Sequence, residues 1–232
     1  MARDPSRSGT LTAAMSPSSN IPRRTIKRLS LYLREVERAV ENGEHHTNSR
    51  QLGVALGVAD TQVRKDLGCF GQFGQPGVGY ATGELADRLR SILGKDHAWA
   101  VAIVGAGNIG QAMMGYGRYG DEGFNIKAVF DSDPAKVGTI VGGYTVEAIE
   151  DLAKIVAEKS IQLAILAVPA EAAQDLADTL GEAGVRGLLN FAPLRLDVDE
   201  SMTVVSVDFT AALEEVAFRM SLGTKESFDE PA

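Results

Sequence analysis

The chain has 232 residues, 44% of them hydrophobic, which is enough for one large or two modest domains with apolar cores. It contains no apolar run long enough to span a bilayer, and its single cysteine, Cys69, excludes an internal disulfide framework and suits a reducing cytoplasm. The net charge of −8 is uneven, because residues 1–96 carry 14 Lys and Arg against 10 Asp and Glu, whereas residues 97–232 carry 9 against 21. This asymmetry indicates that only the N-terminal part meets a polyanion; chance variation between two solvated surfaces is the alternative.

Three helices are predicted in the basic part, after a start at 1–20 that is rich in Ser, Pro, Arg and Thr and is expected to be disordered. Apolar residues at helical spacing cover 26–40. A second helix begins at Asn48, which can cap it with Gln51 at the reciprocal position, and a third begins near Asp60 after a short turn. Helix, short turn and helix is the helix-turn-helix pattern of DNA-binding domains, with an ordinary three-helix bundle as the alternative.

The third helix carries the first candidate DNA contacts, Gln62, Arg64 and Lys65, near the end where recognition helices hold base-reading and phosphate-binding side chains. The segment 70–80 then alternates glycine with aromatic and aliphatic residues, which predicts a tight hairpin and not a helix. Beside a recognition helix such a wing would lie along a phosphate backbone or in the minor groove; alternatively, it packs on the bundle. Its candidate DNA contacts are Phe73, Gly74, Gly77 and Tyr80. A linking helix over 85–93 follows.

The acidic part alternates predicted strands and helices. Strand-like runs cover 99–104, 125–130, 161–168, 185–191 and 203–207, and helical patterns cover 109–116, 146–158 and 171–182. This order implies an α/β fold with a parallel sheet covered on both faces. An amphipathic helix over 209–220 ends the pattern and can pack on its own domain or on a partner subunit, and a helix-turn-helix protein that reads two half-sites needs a dimer.

A glycine motif follows the first of these strands and predicts a dinucleotide site. It consists of Gly105, Ala106, Gly107, Asn108, Ile109 and Gly110, in the pattern G-x-G-x-x-G between a strand and a helix. Asp131 ends the second strand, 21 residues after the last glycine, where an acidic residue accepts hydrogen bonds from a ribose diol. A carboxylate there also repels a 2′-phosphate, which favours NAD(H) over NADP(H). The alternative is a sheet of the same shape that holds coenzyme A or nothing.

Two further strand ends would face the same ligand, one at Val168 and Pro169 and the other at Asn190 and Phe191. The Phe191 ring could stack on a nicotinamide or pack in the core. The three histidines all precede the glycine motif, and only about 24 residues follow the last predicted strand, too few for a substrate domain. The sequence has no metal-ligand cluster and no nucleophile elbow, so no catalytic residue is assigned. A small NAD-dependent oxidoreductase whose basic domain serves assembly is the alternative.

The chain resembles the Rex family of redox-sensing transcriptional repressors between residues 21 and 222. The resemblance lies in the stretches 62–67, 70–80, 105–110, 130–134, 168–169 and 189–193. It implies a winged-helix (helix-turn-helix) domain over 21–96, a Rossmann-type NAD(H)-binding domain over 97–208, a domain-swapped C-terminal dimerisation helix over 209–222 and a flexible tail over 223–232. It also implies a cytoplasmic homodimer that represses transcription from palindromic operators, releases DNA on binding NADH, and binds NAD+ without release.

The resemblance also implies roles for individual positions. Tyr116 corresponds to a tyrosine that responds to the state of the nicotinamide, and Asp133 belongs to the matched motif after the second strand. Arg34 and Asp208 correspond to an ion pair whose formation depends on the DNA-binding state. One departure is Cys69, which stands with Gly68 where the family often has Ser-Tyr and adds a thiol beside the recognition helix.

Overall fold

A computed structural model describes residues 21–74 and 77–226, with side chains to residue 222. The chain divides between Asp96 and His97 into two compact units. The predicted disorder at 1–20 and the end of the predicted tail, 227–232, lie outside the described residues. The last helix reaches Glu226, so the part of that tail from 223 to 226 is helical.

The first unit is a helical bundle with one short β-ladder. Its helices are α1 (Arg23–Glu41), α2 (Ser49–Leu56), α3 (Asp60–Gly68) and α4 (Thr82–Ile92), and its strands are β1 (His46–Thr47) and β2 (Tyr80–Ala81), which pair antiparallel. The apolar stripe of α1 packs against the other helices through buried Leu29, Leu33 and Val36, which explains why the helical spacing was readable in the sequence.

The helix-turn-helix geometry of α2 and α3 follows from local chemistry. The Oδ1 atom of Asn48 accepts hydrogen bonds from the backbone N–H groups of Arg50 and Gln51, at 3.0 and 2.9 Å, which confirms the predicted cap. Gly53 must lack a side chain, because a Cβ atom there would lie 2.4 Å from the Val58 carbonyl oxygen in the turn. The third helix begins at Asp60, as predicted, but the residue in the N-cap position is Ala59.

The glycine-rich segment after α3 folds back on itself, because Gly74 lies directly against Gly79. The prediction of a tight hairpin is wrong in its hydrogen bonding, however. Among the described residues of 70–80, Tyr80 alone lies in a strand, as the first residue of β2. That strand pairs with β1, which precedes α2 and α3 in the chain. The rest is a loop held by α4, where Arg88 donates to the Gln72 carbonyl at 2.6 Å and covers the Phe73 ring at 4.1 Å.

The second unit contains a seven-stranded sheet with the order β5-β6-β4-β3-β7-β8-β9, parallel except for β5. Its strands are β3 (Trp99–Val104), β4 (Phe124–Asp131), β5 (Ile140–Val141), β6 (Tyr144–Ala148), β7 (Leu163–Leu166), β8 (Gly187–Asn190) and β9 (Thr203–Ser206). Its helices are α5 (Asn108–Met114), α6 (Leu152–Glu158), α7 (Ala170–Glu182) and α8 (Phe209–Glu226), with a 3-10 turn at Ile149–Asp151 before α6.

The predicted helix over 146–158 is wrong in its first half. Residues 144–148 instead form β6, and the helix proper begins at Leu152. The cause is a hairpin with β5, whose turn uses Gly142 at φ +59° and Gly143 at φ +88°, left-handed conformations that glycine adopts readily. The hairpin sets the register of β6 beside β4, an effect that periodicity within 146–158 does not reveal.

The two faces of the sheet are covered unequally. On one face α6 and α7 pack over a continuous core that includes Phe130, Leu166 and Leu188. On the other face, among the described residues, α5 covers part of β3, and an apolar groove of about 600 Å³ extends over β3, β4, β7, β8 and β9, lined in part by Leu163, Ile165, Leu189 and Val205. Helix α8 does not fill it, because its side chains from 209 to 222 are all exposed.

Candidate dinucleotide site and DNA-facing surface

The turn after β3 has the backbone that the glycine motif predicts. Gly105 adopts φ +99°, and a Cβ atom there would lie 2.3 Å from the Ala167 carbonyl oxygen. A Cβ atom on Gly110 would lie 1.9 Å from the Gly105 carbonyl oxygen, so α5 can approach the strand only through glycine. A Cβ atom on Gly107 would meet nothing within 4 Å. The middle glycine therefore keeps space above the loop free, as close approach of a phosphate requires.

Asp131, at the end of β4, is buried and tied to this loop. Its Oδ2 atom accepts the Ala106 N–H at 2.8 Å and the Lys136 Nζ at 3.0 Å, and its Oδ1 atom accepts the Asp133 N–H at 2.8 Å. Burial by itself raises the pKa of Asp131, but these three donors outweigh it and hold the pKa below its ordinary value. Asp131 is therefore an ionised acceptor fixed beside the glycine loop.

A cavity of about 460 Å³ opens where these strand ends meet. It gathers the predicted residues Gly105, Gly107, Asp131, Val168 and Pro169. Ser132 and Lys136 line the same cavity and were not predicted as site residues, although a lysine five residues after the acidic strand end was a readable signal. Among the other predicted residues of this region, Asp133 accepts the Ala135 N–H at 2.9 Å and so shapes the turn, and Asn108 and Ile109 begin α5.

At the next strand ends, Asn190 has a structural role. Its side chain is fully buried, donates to the carbonyl oxygens of Ala192 and Leu194 at 3.2 and 3.0 Å, and accepts the Ala192 N–H at 2.9 Å. These bonds fix the turn that carries Phe191. The Phe191 ring lies 5.9 Å from the ring of Phe209, the first residue of α8.

The predicted switch residues occupy three separate elements. Tyr116, which follows α5, is 47% exposed and meets the Tyr119 ring edge-on at 5.0 Å. The Oδ1 atom of Asp208 accepts the N–H groups of Thr210 and Ala211 at 2.9 and 3.0 Å, so Asp208 caps α8. Arg34 lies on α1 in the first unit. Its pairing with Asp208 stays a prediction.

The first unit contains a cleft of about 640 Å³ between the start of α2, helix α3 and the glycine-rich loop, whose lining is a concave surface. Arg64 lines it and forms an ion pair with Asp60 at 2.9 Å; Gly74 and Gly77 line it from the loop. Arg50 also lines it and was missed, although a basic residue at the start of the first helix of the motif was a readable signal. The surface therefore presents two guanidinium groups beside a glycine-rich loop.

Three predicted DNA contacts are engaged inside the unit. The Tyr80 ring is buried and its hydroxyl is hydrogen-bonded to the Ser49 hydroxyl at 2.8 Å. Phe73 lies under the Arg88 guanidinium. Gln62 donates its amide to Asp66 Oδ1 at 2.8 Å. Lys65, by contrast, is exposed on α3.

The described ranges, 21–74 and 77–226, lack both a metal-binding cluster and a membrane-spanning helix. No group of three or more His, Cys, Asp or Glu side chains is arranged to hold a metal ion there. No helix in that part of the chain combines the length and the apolar character needed to cross a membrane.

A parallel sheet with a glycine loop and an acidic strand end, joined to a helix-turn-helix unit, defines the class of DNA-binding regulators that respond to a nucleotide. Two family models match in the corresponding places: "Putative DNA-binding protein N-terminus" over residues 20–68 and "CoA binding domain" over 96–194. The redox-sensing transcriptional repressor Rex of Chloroflexus aurantiacus is 42% identical over 89% of this chain and 98% of its own. That of Carboxydothermus hydrogenoformans is 44% identical over 86% and 96%. The chain belongs to the Rex family.

Solved structures agree with this assignment. A Rex-family repressor named RSP, in complex with beta-NAD+ and operator DNA, is 34% identical with a TM-score of 0.83 over 92% of this chain and 100% of its own. The same protein in complex with beta-NADH is 33% identical with a TM-score of 0.79 over 90% and 98%. The predicted fold class, an α/β fold with an N-terminal DNA-binding domain, is therefore confirmed, whereas exchange of the C-terminal helix stays a prediction.

Proposed function

We propose that this chain is a cytoplasmic repressor that binds palindromic operator DNA as a homodimer, responds to the ratio of NADH to NAD+, and leaves DNA when NADH binds. The observation that carries the proposal is the joint presence of the cavity at Asp131 and the basic concave surface around α3. Similar structures named for NADH and for NAD+ with operator DNA support the same ligands. They favour NAD(H) over the coenzyme A that one family model's description mentions.

For the cofactor, the residues present fit a dinucleotide. The loop from Gly105 to Gly110 offers an open backbone for the pyrophosphate, and Asp131 offers an ionised carboxylate for a ribose diol. Val168 and Pro169 supply an apolar wall. The nicotinamide end belongs with Tyr116, Phe191 and Asp208. A partly apolar surrounding there disfavours the positive charge of NAD+, which is the physical basis for a preference for NADH.

For DNA, Arg64 and Lys65 on α3 and Arg50 at the start of α2 supply the positive charge for phosphates and base edges. Gly77, where a Cβ atom would meet nothing within 4 Å, lets the loop backbone approach the duplex closely, and Gly74 lines the same surface while its missing side chain lets the loop fold against Gly79. Phe73 and Tyr80 also line this surface, and each of them, like Gln62, has a partner inside the unit, so we assign these three a positioning role in the DNA-facing surface.

The dimer rests on the unequal covering of the sheet. Helix α8 exposes Phe209, Leu213, Val216 and Phe218 by 54–70%, which is unusual for an isolated protomer. The apolar groove on this face of the sheet is, among the described residues, uncovered. A parallel sheet needs cover on both faces. Reciprocal docking of α8 from each copy onto the other would meet both needs, with the closed twofold symmetry that a palindromic operator requires.

No residue is assigned a catalytic role. A bound NADH would act as an effector, and its effect on DNA affinity can only come from unequal affinity for the two dimer arrangements. The predicted Arg34–Asp208 pair would form in one arrangement and not in the other. The alternative of an oxidoreductase requires a proton donor at the nicotinamide, and Tyr116 is the candidate that it would need.

The testing experiment is a titration of the full chain on an operator selected from random duplexes, at fixed salt, without nucleotide and with NADH, NAD+, NADPH or coenzyme A. We expect tight binding that NADH alone reverses and that excess NAD+ restores. Arg64→Ala should weaken DNA binding while leaving NADH binding intact. Specific DNA binding that no nucleotide alters would contradict the sensor mechanism. Consumption of NADH with no specific DNA binding would favour the oxidoreductase.

A further inference from the structure

One buried carboxylate on the recognition helix accepts five hydrogen bonds from side chains. Asp66 lies on α3 and is 1% exposed. Its Oδ1 atom accepts from Thr25 Oγ1 at 3.2 Å, from Arg28 Nη2 at 2.8 Å and from Gln62 at 2.8 Å; its Oδ2 atom accepts from Arg28 Nε and from the Tyr32 hydroxyl at 2.8 Å. We name this set of five residues the Asp66 cluster.

The cluster joins two helices through polar atoms in an otherwise apolar contact. Thr25, Arg28 and Tyr32 stand on consecutive turns of α1, whereas Asp66 and Gln62 stand one turn apart on α3. Burial by itself raises the pKa of Asp66, but the hydrogen bonds from Arg28, Tyr32 and Gln62 outweigh it and keep the pKa below its ordinary value. A fully satisfied buried network of this kind fixes one arrangement more sharply than apolar packing does.

The hydrogen bonds of the Asp66 cluster restrict how α3 can move relative to α1, because hydrogen bonds are directional. Apolar neighbours such as Val63 and Leu67 tolerate small rotations and slides of a helix, because dispersion contacts are not directional. A carboxylate that accepts from three donors along α1 does not tolerate them, since each hydrogen bond requires its own distance and angle. Arg64 lies two residues before Asp66 on α3, so a rotation of α3 about its axis that displaced Asp66 would turn Arg64 by the same angle.

We propose that the Asp66 cluster is the positioning device of the recognition helix, and that Gln62 acts on DNA recognition through Asp66 and not by contacting a base. The proposal rests on the proposed DNA-binding function. Its members are positioning residues, and their loss should impair reading of the operator while leaving the sequence-independent attraction to phosphates unchanged.

The first test uses Tyr32→Phe and Thr25→Val, which remove one hydroxyl each and preserve shape. Affinity is measured for the selected operator and for a scrambled duplex, over a series of salt concentrations. We expect the specific affinity to fall about tenfold, the size of one misplaced bidentate base contact, with scrambled-duplex affinity and salt slope unchanged. Val36→Ala, in the same apolar core but outside the cluster, is the control for lost stability and should leave the ratio of specific to non-specific affinity unaltered.

The second test concerns Gln62. Base pairs of one half-site are replaced one at a time, and the cost of Gln62→Ala is measured on each operator and again in the Asp66→Asn background. If Gln62 is a positioning residue, Gln62→Ala should lower the affinity for every operator variant. In the Asp66→Asn background, the same substitution should lower the affinity little further. If Asp66→Asn does not fold, Tyr32→Phe supplies the second background, because Tyr32 donates to the same carboxylate.

The proposal would be overturned if the cost of Gln62→Ala disappeared only on the operator with one particular base pair replaced and remained undiminished in the second background. It would also be overturned by Tyr32→Phe and Thr25→Val variants whose affinity ratio matches that of Val36→Ala. In both cases the unaltered protein still selects its operator. An unaltered protein that prefers no sequence would instead overturn the proposed function together with this inference.

Discussion

Replacement of Leu213 by Asp tests the dimer that the exposed α8 helix calls for. The Leu213 side chain is 70% exposed in the protomer, so the protomer should fold unchanged with a charge in its place. In a dimer with docked α8 helices, this side chain would be buried twice, once in each copy. Burial of a leucine side chain contributes about 1.5–3 kcal/mol, so the loss is about 3–6 kcal/mol per dimer. The dissociation constant of the dimer should therefore rise by roughly 10²- to 10⁴-fold.

Sedimentation velocity over a range of protein concentrations would measure this shift. Glu215→Ala is the matched control, since Glu215 lies on the same helix, forms an ion pair with Arg219 at 2.6 Å, and belongs to its charged side. We expect the control to remain dimeric and to bind the palindromic operator as before. Leu213→Asp should sediment as a monomer with a native circular dichroism spectrum and bind a single half-site weakly. A Leu213→Asp protein that is as dimeric as the control would refute the docking of α8.

Four further predictions concern the dinucleotide site, the DNA-facing surface and the Asp66 cluster. Gly110→Ala, whose new methyl group would lie 1.9 Å from a carbonyl oxygen of the glycine loop, should weaken NADH binding by about 1–3 kcal/mol in a titration of the operator complex, and operator binding itself should persist. Asp131→Ser frees Lys136 from the carboxylate 3.0 Å away, so NADPH should now release DNA in a competition assay; a second change, Lys136→Ala, should abolish that gain. Arg64→Ala should reduce the slope of log affinity against log salt by about one unit, and a slope equal to that of the unaltered protein would exclude a phosphate contact. The pKa of Asp66 lies below its ordinary value of 3.8 when folded, so its stabilisation is present above that pH and lost as pH falls through the folded pKa; urea unfolding from pH 7 to 3 should show a shallower acid limb for Asp66→Asn.

Features that depend on neighbours in sequence were readable without a structure. The cap at Asn48 acts over three residues, and the glycine loop acts over six, with Asp131 at the end of the next strand. In each case the residue type indicates the local backbone conformation or hydrogen bond, as glycine does for the positive φ of Gly105. The parallel sheet, without the order of its strands, was predicted from the alternation of strands and helices, but the β5–β6 hairpin was not, because its strands are only two and five residues long.

The hydrogen bonds of Tyr80 and Asp66 that sequence reasoning did not foresee join residues far apart along the chain. Tyr80 is bonded to a serine 31 residues away, and Asp66 to an arginine 38 residues away. Tyr80 and Gln62 have the side-chain types of DNA contacts, and the folded unit adds a hydrogen bond from each to a neighbour, Ser49 and Asp66 respectively; their contact with DNA stays a prediction. Arg50 was missed for the reverse reason, because its place on the concave surface depends on how α2 and the glycine-rich loop come together.

The start of α8 is where cofactor and dimer can influence each other. Parallel strands bring the ends of β3, β4, β8 and β9 to one edge of the sheet, the edge that carries the glycine loop. Phe191 leaves β8 at that edge and its ring lies 5.9 Å from Phe209, while Asp208 caps the helix from the end of β9. A nicotinamide bound beside Phe191, as proposed above, would therefore adjoin the residues at the start of α8. Because two docked helices would relate the copies by symmetry, a change of direction at this point is applied twice. A small difference between NADH and NAD+ can in this way alter the spacing of two DNA-binding units without contacting either of them.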